Sequence, residues 1–169
     1  EGLGKAYVDA FRFLRERNCE GVFVTMDADF SHDPASLPNL LRAAEHYDVI
    51  IGSRYVRGGR ILNWELWRRF LSYCANVYYR IVSRIPICDF TTGYTAMKSS
   101  VFQKANLVSL AASGYAFFFE VKYKAWKSGA SIVELPITFV GRRVGHSKLS
   151  MAILYESFIT PWKLLFKSR

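Results

Sequence analysis

The sequence predicts an α/β fold with a mainly parallel sheet, built as one domain over residues 1–169. Amphipathic helical stretches alternate with short apolar runs, and short polar segments connect them. Hydrophobic residues make up 51% of the chain and charged residues 22%, a globular balance that supports a sizeable core. No internal repeat or Ser/Gly-rich linker divides the sequence, so we expect a single domain.

The first half of the chain is predicted to form two helices, over 3–17 and 35–46, and two buried strands, over 22–26 and 48–52. Apolar residues recur at three- and four-residue spacing in the first helix, and Gly21 interrupts that pattern. The strand that follows is a continuous apolar run, as in strands buried on both faces. Asp33 is expected to cap the second helix and Pro34 to begin it. A polar turn, 53–60, follows the second strand.

The second half is predicted to contain helices over 65–83, 115–127 and 148–166, a strand over 92–97 and an extended segment over 132–140. Pro136 interrupts the extended segment, and Pro161 is expected to kink or end the last helix. The segment 148–169 contains this helix and the basic residues that follow it. It combines a broad apolar and aromatic face with Lys163 and Lys167. This pattern is typical of an amphipathic helix that lies at a membrane interface.

Asp27 and Asp29 follow the first buried strand directly. In an extended backbone, residues two apart point the same way, so both carboxylates converge. They repel each other unless a cation or a proton intervenes, and a hard divalent cation suits such a pair. Short acidic pairs are common in solvated loops, but a position at a strand end favours a metal site. His32 has no partner spaced as a metal ligand, which favours a supporting role in the loop.

Ligands of α/β sheets bind at the carboxyl ends of the strands. The acid pair follows the first predicted strand, and the Gly- and Arg-containing turn follows the second. We therefore expect both to face one crevice.

The charge balance predicts an anionic partner. Lys and Arg number 23 against 14 Asp and Glu, a formal net charge of +9. Nucleic acid, an anionic membrane surface and phosphorylated small molecules all suit this excess, as does a solvated basic surface. Three widely spaced cysteines without a CxxC pair disfavour a disulfide framework or zinc site and favour a reducing compartment. No run reaches the roughly 18 apolar residues that cross a bilayer.

Four motifs occur in order along the chain: MDADFSHDP at 26–34, GSRYVRGG at 52–59, DFTTGYTAMK at 89–98 and ELPITFVGRRVGHSKLS at 134–150. Together with GLGKAY at 2–7, they resemble the motifs of polyprenyl-phosphate sugar synthases, the dolichol-phosphate mannose synthase type of family 2 glycosyltransferases with the GT-A fold. The resemblance implies that the family's base- and ribose-binding segments precede residue 1. Residues 1–169 are then expected to form the metal- and acceptor-binding part of a GT-A domain whose N-terminal part is missing.

The resemblance implies transfer of a hexose, mannose from GDP-mannose first of all, onto a polyprenyl phosphate, with Mg²⁺ or Mn²⁺ and inversion at the anomeric carbon. It also implies a peripheral location on the cytosolic face of a membrane. The alternatives are a UDP-glucose or UDP-N-acetylhexosamine transferase, a polysaccharide-directed transferase, a non-catalytic membrane scaffold and a nucleic-acid-binding domain. The last is disfavoured because the arginines lie in separate glycine-flanked loops without a nucleic-acid motif. We therefore expect no nucleic-acid partner.

On the donor side, the resemblance assigns the metal to Asp27 and Asp29. Ser31 is a further candidate ligand, at a position that is Gln in some members. The donor diphosphate falls to three basic residues: Arg54, Arg142 and Lys148. Gly141 and His146 stand where the family commonly has acidic residues, so the closing loop is expected to differ.

On the acceptor side, the resemblance places Arg69 and Ser72 on the lipid phosphate, with Arg68 as the alternative to Arg69. Asp89 and Arg142 are the predicted catalytic residues. Asp89 would orient the acceptor or the sugar and take a proton, or it would only cap the Thr-Thr-Gly bend. Glu120 is expected either to touch the sugar or to be a paired carboxylate in a core helix.

Overall fold

The computed structural model describes residues 3–110, 112, 114–141 and 151–167. Its helices are α1 (Leu3–Glu16), α2 (Leu37–Ala43), α3 (Leu66–Ser83), α4 (Ser99–Lys104), α5 (Gly114–Lys127) and α6 (Met151–Lys167). Its strands are β1 (Val22–Thr25), β2 (Val49–Ser53), β3 (Arg60–Leu62), β4 (Thr95–Lys98), β5 (Ile132–Pro136) and β6 (Thr138–Val140). Short 3₁₀ turns occupy Pro34–Ser36 and Leu107–Ser109. The α/β class is confirmed.

The main sheet has four strands in the order β1-β4-β2-β5. β2 pairs with β5 in parallel, whereas β4 runs antiparallel to both β1 and β2. The prediction of a mainly parallel sheet is therefore right for the direction of β1, β2 and β5 and wrong for β4. An apolar run buried on both faces looks the same in either direction, so the sequence pattern could not reveal the reversal.

Helices cover both faces of this sheet. Side chains alternate along β2, so that Val49 and Ile51 enter one core cluster and Ile50 enters the other. The larger cluster is rich in aromatic residues from α1, α3, α4 and α5, and its Tyr79 and Phe119 rings stack with centroids 4.5 Å apart. The smaller cluster lies under α2. Phe, Trp and Tyr make up 16% of the chain, and many of these side chains therefore lie in the core.

Most predicted helix boundaries agree with the structure, because apolar periodicity marks the long helices clearly. The helices predicted over 3–17, 65–83 and 115–127 are confirmed to within one residue at each end. Asp33 is confirmed as a cap, since its Oδ1 accepts a hydrogen bond from the Ala35 N–H at 2.9 Å, but it caps the 3₁₀ turn Pro34–Ser36 and not α2, whose N-cap is Ser36. However, a 3₁₀ turn precedes α2, and α2 ends at Ala43 instead of residue 46.

The strand predicted over 92–97 begins only at Thr95. The side chain of Thr92 accepts the Tyr94 N–H at 3.2 Å, so this part of the chain is tied into a loop. The extended segment 132–140 divides at Pro136 into β5 and β6. β6 pairs in parallel with β3 in a second, two-stranded sheet that the sequence did not predict.

The last helix, α6, continues through Pro161 and does not end there. It packs beside α3, where the rings of Tyr78 and Phe158 stack at 5.1 Å and the Tyr78 hydroxyl donates to the Phe158 carbonyl. Residues 148–150 of the predicted helix lie outside the described residues. Across the described part of the chain, no helix combines the length and apolarity needed to span a bilayer.

Candidate functional site

Three segments meet at one edge of the main sheet. β1 and β2 both end there, and β4, which is antiparallel to both, begins there. The Thr25 hydroxyl at the end of β1 donates to the Gly93 carbonyl at 2.7 Å. A Cβ atom on Gly93 would lie 3.1 Å from Phe118 and 3.5 Å from the Asp27 carboxylate, so this close approach suits glycine. The predicted common edge for the acid pair and the turn after β2 is confirmed.

The acid pair, Asp27 and Asp29, lies in a tight bend that its own side chains stabilise. The Asp27 N–H donates to His32 Nδ1 at 3.0 Å, and the Ser31 N–H donates to Asp29 Oδ1 at 3.0 Å. Phe30, between Asp29 and Ser31, adopts a left-handed backbone with φ of 61°, which is uncommon for an aromatic residue. The Asp27 side chain keeps 40% of its surface exposed, so its oxygens remain accessible to a ligand.

His32 supports this bend from inside the protein. Its ring is buried between Tyr94 and Phe139, with centroid distances of 5.0 and 5.4 Å. Burial lowers the pKa of His32 below its usual value, although neighbouring Asp27 opposes the shift. The ring is thus neutral, and its Nδ1 lone pair accepts the Asp27 N–H. These contacts agree with the supporting role that the sequence favoured.

Arg54, which follows β2, forms a buried bidentate ion pair with Asp89. Arg54 Nε donates to Asp89 Oδ2 and Nη2 donates to Oδ1, both at 2.8 Å, and the Arg54 N–H donates to Oδ2 at 3.0 Å. Burial raises the pKa of Asp89, but the charge and hydrogen bonds of Arg54 outweigh it, and the pKa lies below its ordinary value. Asp89 is therefore an ionised and weakly basic carboxylate.

Asp89 also caps the bend that follows it. Its Oδ1 accepts the Thr92 N–H at 3.1 Å and the Thr91 hydroxyl at 3.4 Å. This is the capping function that the sequence left open as an alternative. Neither these contacts nor the Arg54 pair involves a substrate, so the assignments of Arg54 to the diphosphate and Asp89 to the acceptor or sugar stay predictions.

Side chains from two other elements hold the backbone of residues 88–93, here called the Asp89 loop. Glu134 on β5 accepts the Cys88 N–H at 2.7 Å and the Asp89 N–H at 2.9 Å. Asn76 on α3 accepts the Phe90 N–H at 2.7 Å. The loop is thus anchored to the sheet on one side and to α3 on another.

Lys122 on α5 holds the same loop through its carbonyl groups. Its side chain is only 1% exposed, and Nζ donates to the Phe90 carbonyl at 3.0 Å and the Thr92 carbonyl at 2.8 Å. Burial lowers the pKa of Lys122 to about 7, against an opposing effect of Asp89. Lys122, Asn76 and Glu134 were not predicted from the sequence as site residues. The sequence held one signal for Lys122: it is a lysine among the apolar residues of the helix predicted over 115–127.

The residues predicted to bind the acceptor phosphate lie at the start of α3. Arg68 is engaged by Glu65 of its own helix, with Nε 3.2 Å from the carboxylate. Arg69 is exposed. Burial raises the pKa of Tyr55, and the positive charges of Arg54 and Arg69 oppose that rise. The Tyr55 ring in turn lies 5.4 Å from the Arg54 guanidinium. Ser72 is linked to the Asp89 loop by Asn76, whose Nδ2 donates to the Ser72 carbonyl at 2.9 Å and to the Thr91 hydroxyl at 3.2 Å. Arg69 lies three residues before Ser72 on α3.

Two predicted site residues, Arg142 and Lys148, lie outside the described residues. Their roles stay predictions, as does that of Ser31 as a metal ligand. Glu120 is buried, accepts the Ala112 N–H at 2.9 Å and pairs with Lys124 at 3.2 Å. These contacts agree with the alternative of a paired carboxylate in a core helix.

Comparison with known proteins identifies the family and two relatives of high sequence identity. The family model described as glycosyl transferase family 2 matches residues 1–105. The undecaprenyl-phosphate mannosyltransferase of Micrococcus luteus is 40% identical over 97% of this chain and 68% of the relative. The polyprenol monophosphomannose synthase of Mycolicibacterium smegmatis is 42% identical over 92% of this chain and 59% of the relative. The chain thus spans about two thirds of one relative and three fifths of the other.

The substitution Asp89→Asn tests the buried ion pair. It removes one charge of a buried, hydrogen-bonded ion pair, so we expect the free energy of unfolding to fall by about 3–5 kcal/mol at neutral pH. The pKa of Asp89 in the folded protein lies below its value of about 4 in the unfolded chain. The ion pair therefore stabilises the protein fully above about pH 4, and this stabilisation is lost as the pH falls through the folded pKa. Urea unfolding at neutral and acidic pH measures both effects.

The matched control is Asp9→Asn on α1. Asp9 pairs with Lys5 at 3.5 Å and Arg12 at 3.2 Å, but all three side chains are about half exposed. Solvent screening limits such a pair to about 1 kcal/mol or less. Equal losses in the two variants would contradict a stabilising role for the Arg54–Asp89 pair.

Proposed function

The chain belongs to glycosyl transferase family 2, and we propose that it carries the metal- and acceptor-binding part of a polyprenyl-phosphate mannosyltransferase. One observation carries the proposal: the acid pair after β1, Arg54 after β2 and the Asp89 loop before β4 converge at one sheet edge. Partly exposed carboxylates at such an edge, with the exposed Arg69 at the start of α3, suit a nucleotide diphosphate and a second phosphate group. The names of both relatives supply the mannosyl group and the polyprenyl acceptor.

The proposed reaction is a single displacement with inversion. An oxygen of the polyprenyl phosphate attacks the anomeric carbon of GDP-mannose and forms the new C–O bond. The bond from that carbon to the diphosphate oxygen breaks, and GDP leaves with the electron pair. A phosphate monoester is largely ionised near neutral pH, since its second pKa is about 6. The weakly basic Asp89 is thus suited to orienting the acceptor or the sugar, and proton removal is not required of it.

The acid pair suits Mg²⁺ or Mn²⁺ as the cofactor. Both side chains offer hard oxygen donors; the Asp27 carboxylate is partly exposed, and one Asp29 oxygen already accepts a backbone N–H. Over residues 3–110, 112, 114–141 and 151–167, no three His, Cys, Asp or Glu side chains group as a metal site. Asp27 and Asp29 would therefore share the ion with phosphate oxygens and water. When bound, the ion would neutralise charge on the diphosphate leaving group.

The reaction brings two anionic phosphate groups together. Two unit charges 4 Å apart repel by about 4 kcal/mol at an effective dielectric constant of 20, so cations near the site lower the barrier. Arg54 is buried and paired with Asp89, so the Asp89 carboxylate balances its positive charge. We therefore propose Arg69, with Arg142 and Lys148, as the residues that supply positive charge to the acceptor and donor phosphates.

We further propose that α3 and α6 face the membrane that holds the polyprenyl acceptor. Aromatic and aliphatic side chains are exposed on both helices, and the two helices are in contact through Tyr78 and Phe158. Basic residues accompany them on α3, as anionic lipid would require. The exposed set on α3 is Leu66, Trp67, Phe70, Tyr73 and Ile81, and that on α6 includes Met151, Tyr155, Phe158, Trp162 and Phe166. A cytosolic, peripheral position agrees with the cysteine pattern.

The substitutions Asp27→Asn and Asp29→Asn test the proposed reaction. Each removes a negatively charged ligand, so we expect mannosyl transfer by the full-length protein to fall on the order of 100-fold or more. The assay supplies GDP-mannose and a short polyprenyl phosphate, with and without Mn²⁺. UDP-glucose and UDP-N-acetylglucosamine serve as competing donors.

Asp33→Asn in the same loop is the control. Asn and Asp cap helices equally well, so this variant should keep both stability and activity. Full activity in either acid-pair variant, or activity independent of metal, would contradict the proposed mechanism. If the protein uses a UDP-sugar in preference to GDP-mannose, the donor would be that UDP-sugar and the proposed mannosyl transfer would be wrong.

The substitutions Arg69→Gln and Arg68→Gln distinguish the two candidates for the acceptor phosphate. Arg69 is exposed, whereas Arg68 is paired with Glu65. A lost charge-assisted hydrogen bond corresponds to about 10-fold or more in affinity, so we expect Arg69→Gln to raise the KM for polyprenyl phosphate by that factor. Arg68→Gln should change it little. The reverse order would assign the phosphate to Arg68.

Flotation with vesicles tests the membrane face. Phe70 and Ile81 are each about 70% exposed, so replacing both by Ser should leave the fold stable but weaken binding to anionic phosphatidylglycerol vesicles by about 10-fold or more. Phe13→Ser, an exposed aromatic substitution on α1, is the control and should float like the unmodified protein. Unchanged flotation of the double variant would exclude α3 as the membrane face.

A further inference from the structure

We propose that Lys122 is a positioning residue that fixes the distance between the acid pair and Arg54 by holding the Asp89 loop. This inference rests on the proposed function for its kinetic consequence, whereas its structural part concerns the loop alone. Lysine is almost never fully buried unless it is paired. The buried position of Lys122 therefore calls for a reason that packing does not supply.

The Lys122 ammonium group is matched to the loop that it contacts. Two of its hydrogens serve the Phe90 and Thr92 carbonyls, and the group lies 5.5 Å from the Phe118 ring centroid. The two carbonyls flank Thr91, so one amine holds both sides of that residue. Burial lowers the pKa of Lys122 to about 7, but a neutral amine still has two N–H donors for the two carbonyls.

Other side chains hold Thr91 from elsewhere in the fold. Its hydroxyl accepts hydrogen bonds from Arg54 Nη2 at 2.7 Å and from Asn76 Nδ2 at 3.2 Å. The loop is thus fixed by Lys122 through its backbone and by Arg54 and Asn76 through its side chain. The charged groups that act on Lys122 are Asp89, Arg54 and Glu134. With Lys122 protonated, these four charges sum to zero.

The loop links the two halves of the site. One end carries Asp89, which fixes the Arg54 guanidinium. The other end is Gly93, whose carbonyl accepts the Thr25 hydroxyl beside Asp27. Lys122 holds the middle. Without Lys122, the two buried carbonyls lose their hydrogen-bond donor. A buried carbonyl without a donor is destabilising, so we expect the loop backbone to rotate and turn these carbonyls toward other donors. A misplacement of about 1 Å between reacting groups lowers a rate by about 100-fold.

The decisive experiment compares Lys122→Met, Lys122→Gln and Lys122→Arg in the full-length protein. Methionine supplies no donor, glutamine keeps two N–H donors on a shorter side chain, and arginine keeps both donors and charge. We expect kcat/KM for GDP-mannose to fall by about 10- to 100-fold in the methionine variant, less in the glutamine variant and least in the arginine variant. Hydrogen exchange of the peptide that contains Phe90 and Thr92 should accelerate in the same order.

Lys127→Met is the matched control, since Lys127 lies on the same helix but is exposed, with Nζ 5.9 Å from the Tyr123 ring centroid. It should keep both activity and slow loop exchange. If methionine prevents folding, the glutamine and arginine variants still give the ordering. A folded glutamine or methionine variant with unchanged kcat/KM and unchanged loop exchange overturns the proposal. If the unmodified protein transfers no mannose, the proposed function fails, and loop exchange still decides whether Lys122 holds the loop.

Discussion

The buried ion pair between Arg54 and Asp89 is the interaction on which the candidate site depends. Removing two charges from water costs several kcal/mol for each ion, and the attraction between them compensates only if their remaining hydrogen-bonding groups are satisfied. Asp89 meets that condition, because it accepts five hydrogen bonds, three from Arg54 and two from Thr91 and Thr92. A displacement of the Asp89 loop would break several of these bonds at once, so the loop is held in one arrangement.

The direction of β4 explains why this loop reaches the acid pair. β4 begins at the edge where β1 and β2 end, so the segment before β4 lies between the residues that follow β1 and β2. A parallel strand at that position would begin at the opposite edge and would carry Asp89 away from Asp27. The wrong prediction of the β4 direction therefore concerns the feature that assembles the site.

The site divides its tasks between a rigid interior and an accessible rim. Arg54, Asp89, Asn76 and Lys122 are buried and hold one another in place. Asp27, Asp29 and Arg69 keep contact with solvent, where a metal or phosphate could reach them. Groups that must exchange ligands need such access, whereas the groups that orient them gain from a low dielectric and full hydrogen bonding.

By itself the sequence determined the α/β class, the long helices, the Asp33 cap and the place of the acid pair at a strand end. These features follow from local periodicity and from single residues whose effect is local. The ordered motifs also determined the family. The tertiary structure alone decided the reversed direction of β4, the pairing of β3 with β6, and the contacts of Asn76, Lys122 and Glu134 with the Asp89 loop. Those features depend on partners 14 to 78 residues away along the chain, and local sequence patterns carry no information about which distant groups a buried side chain will meet.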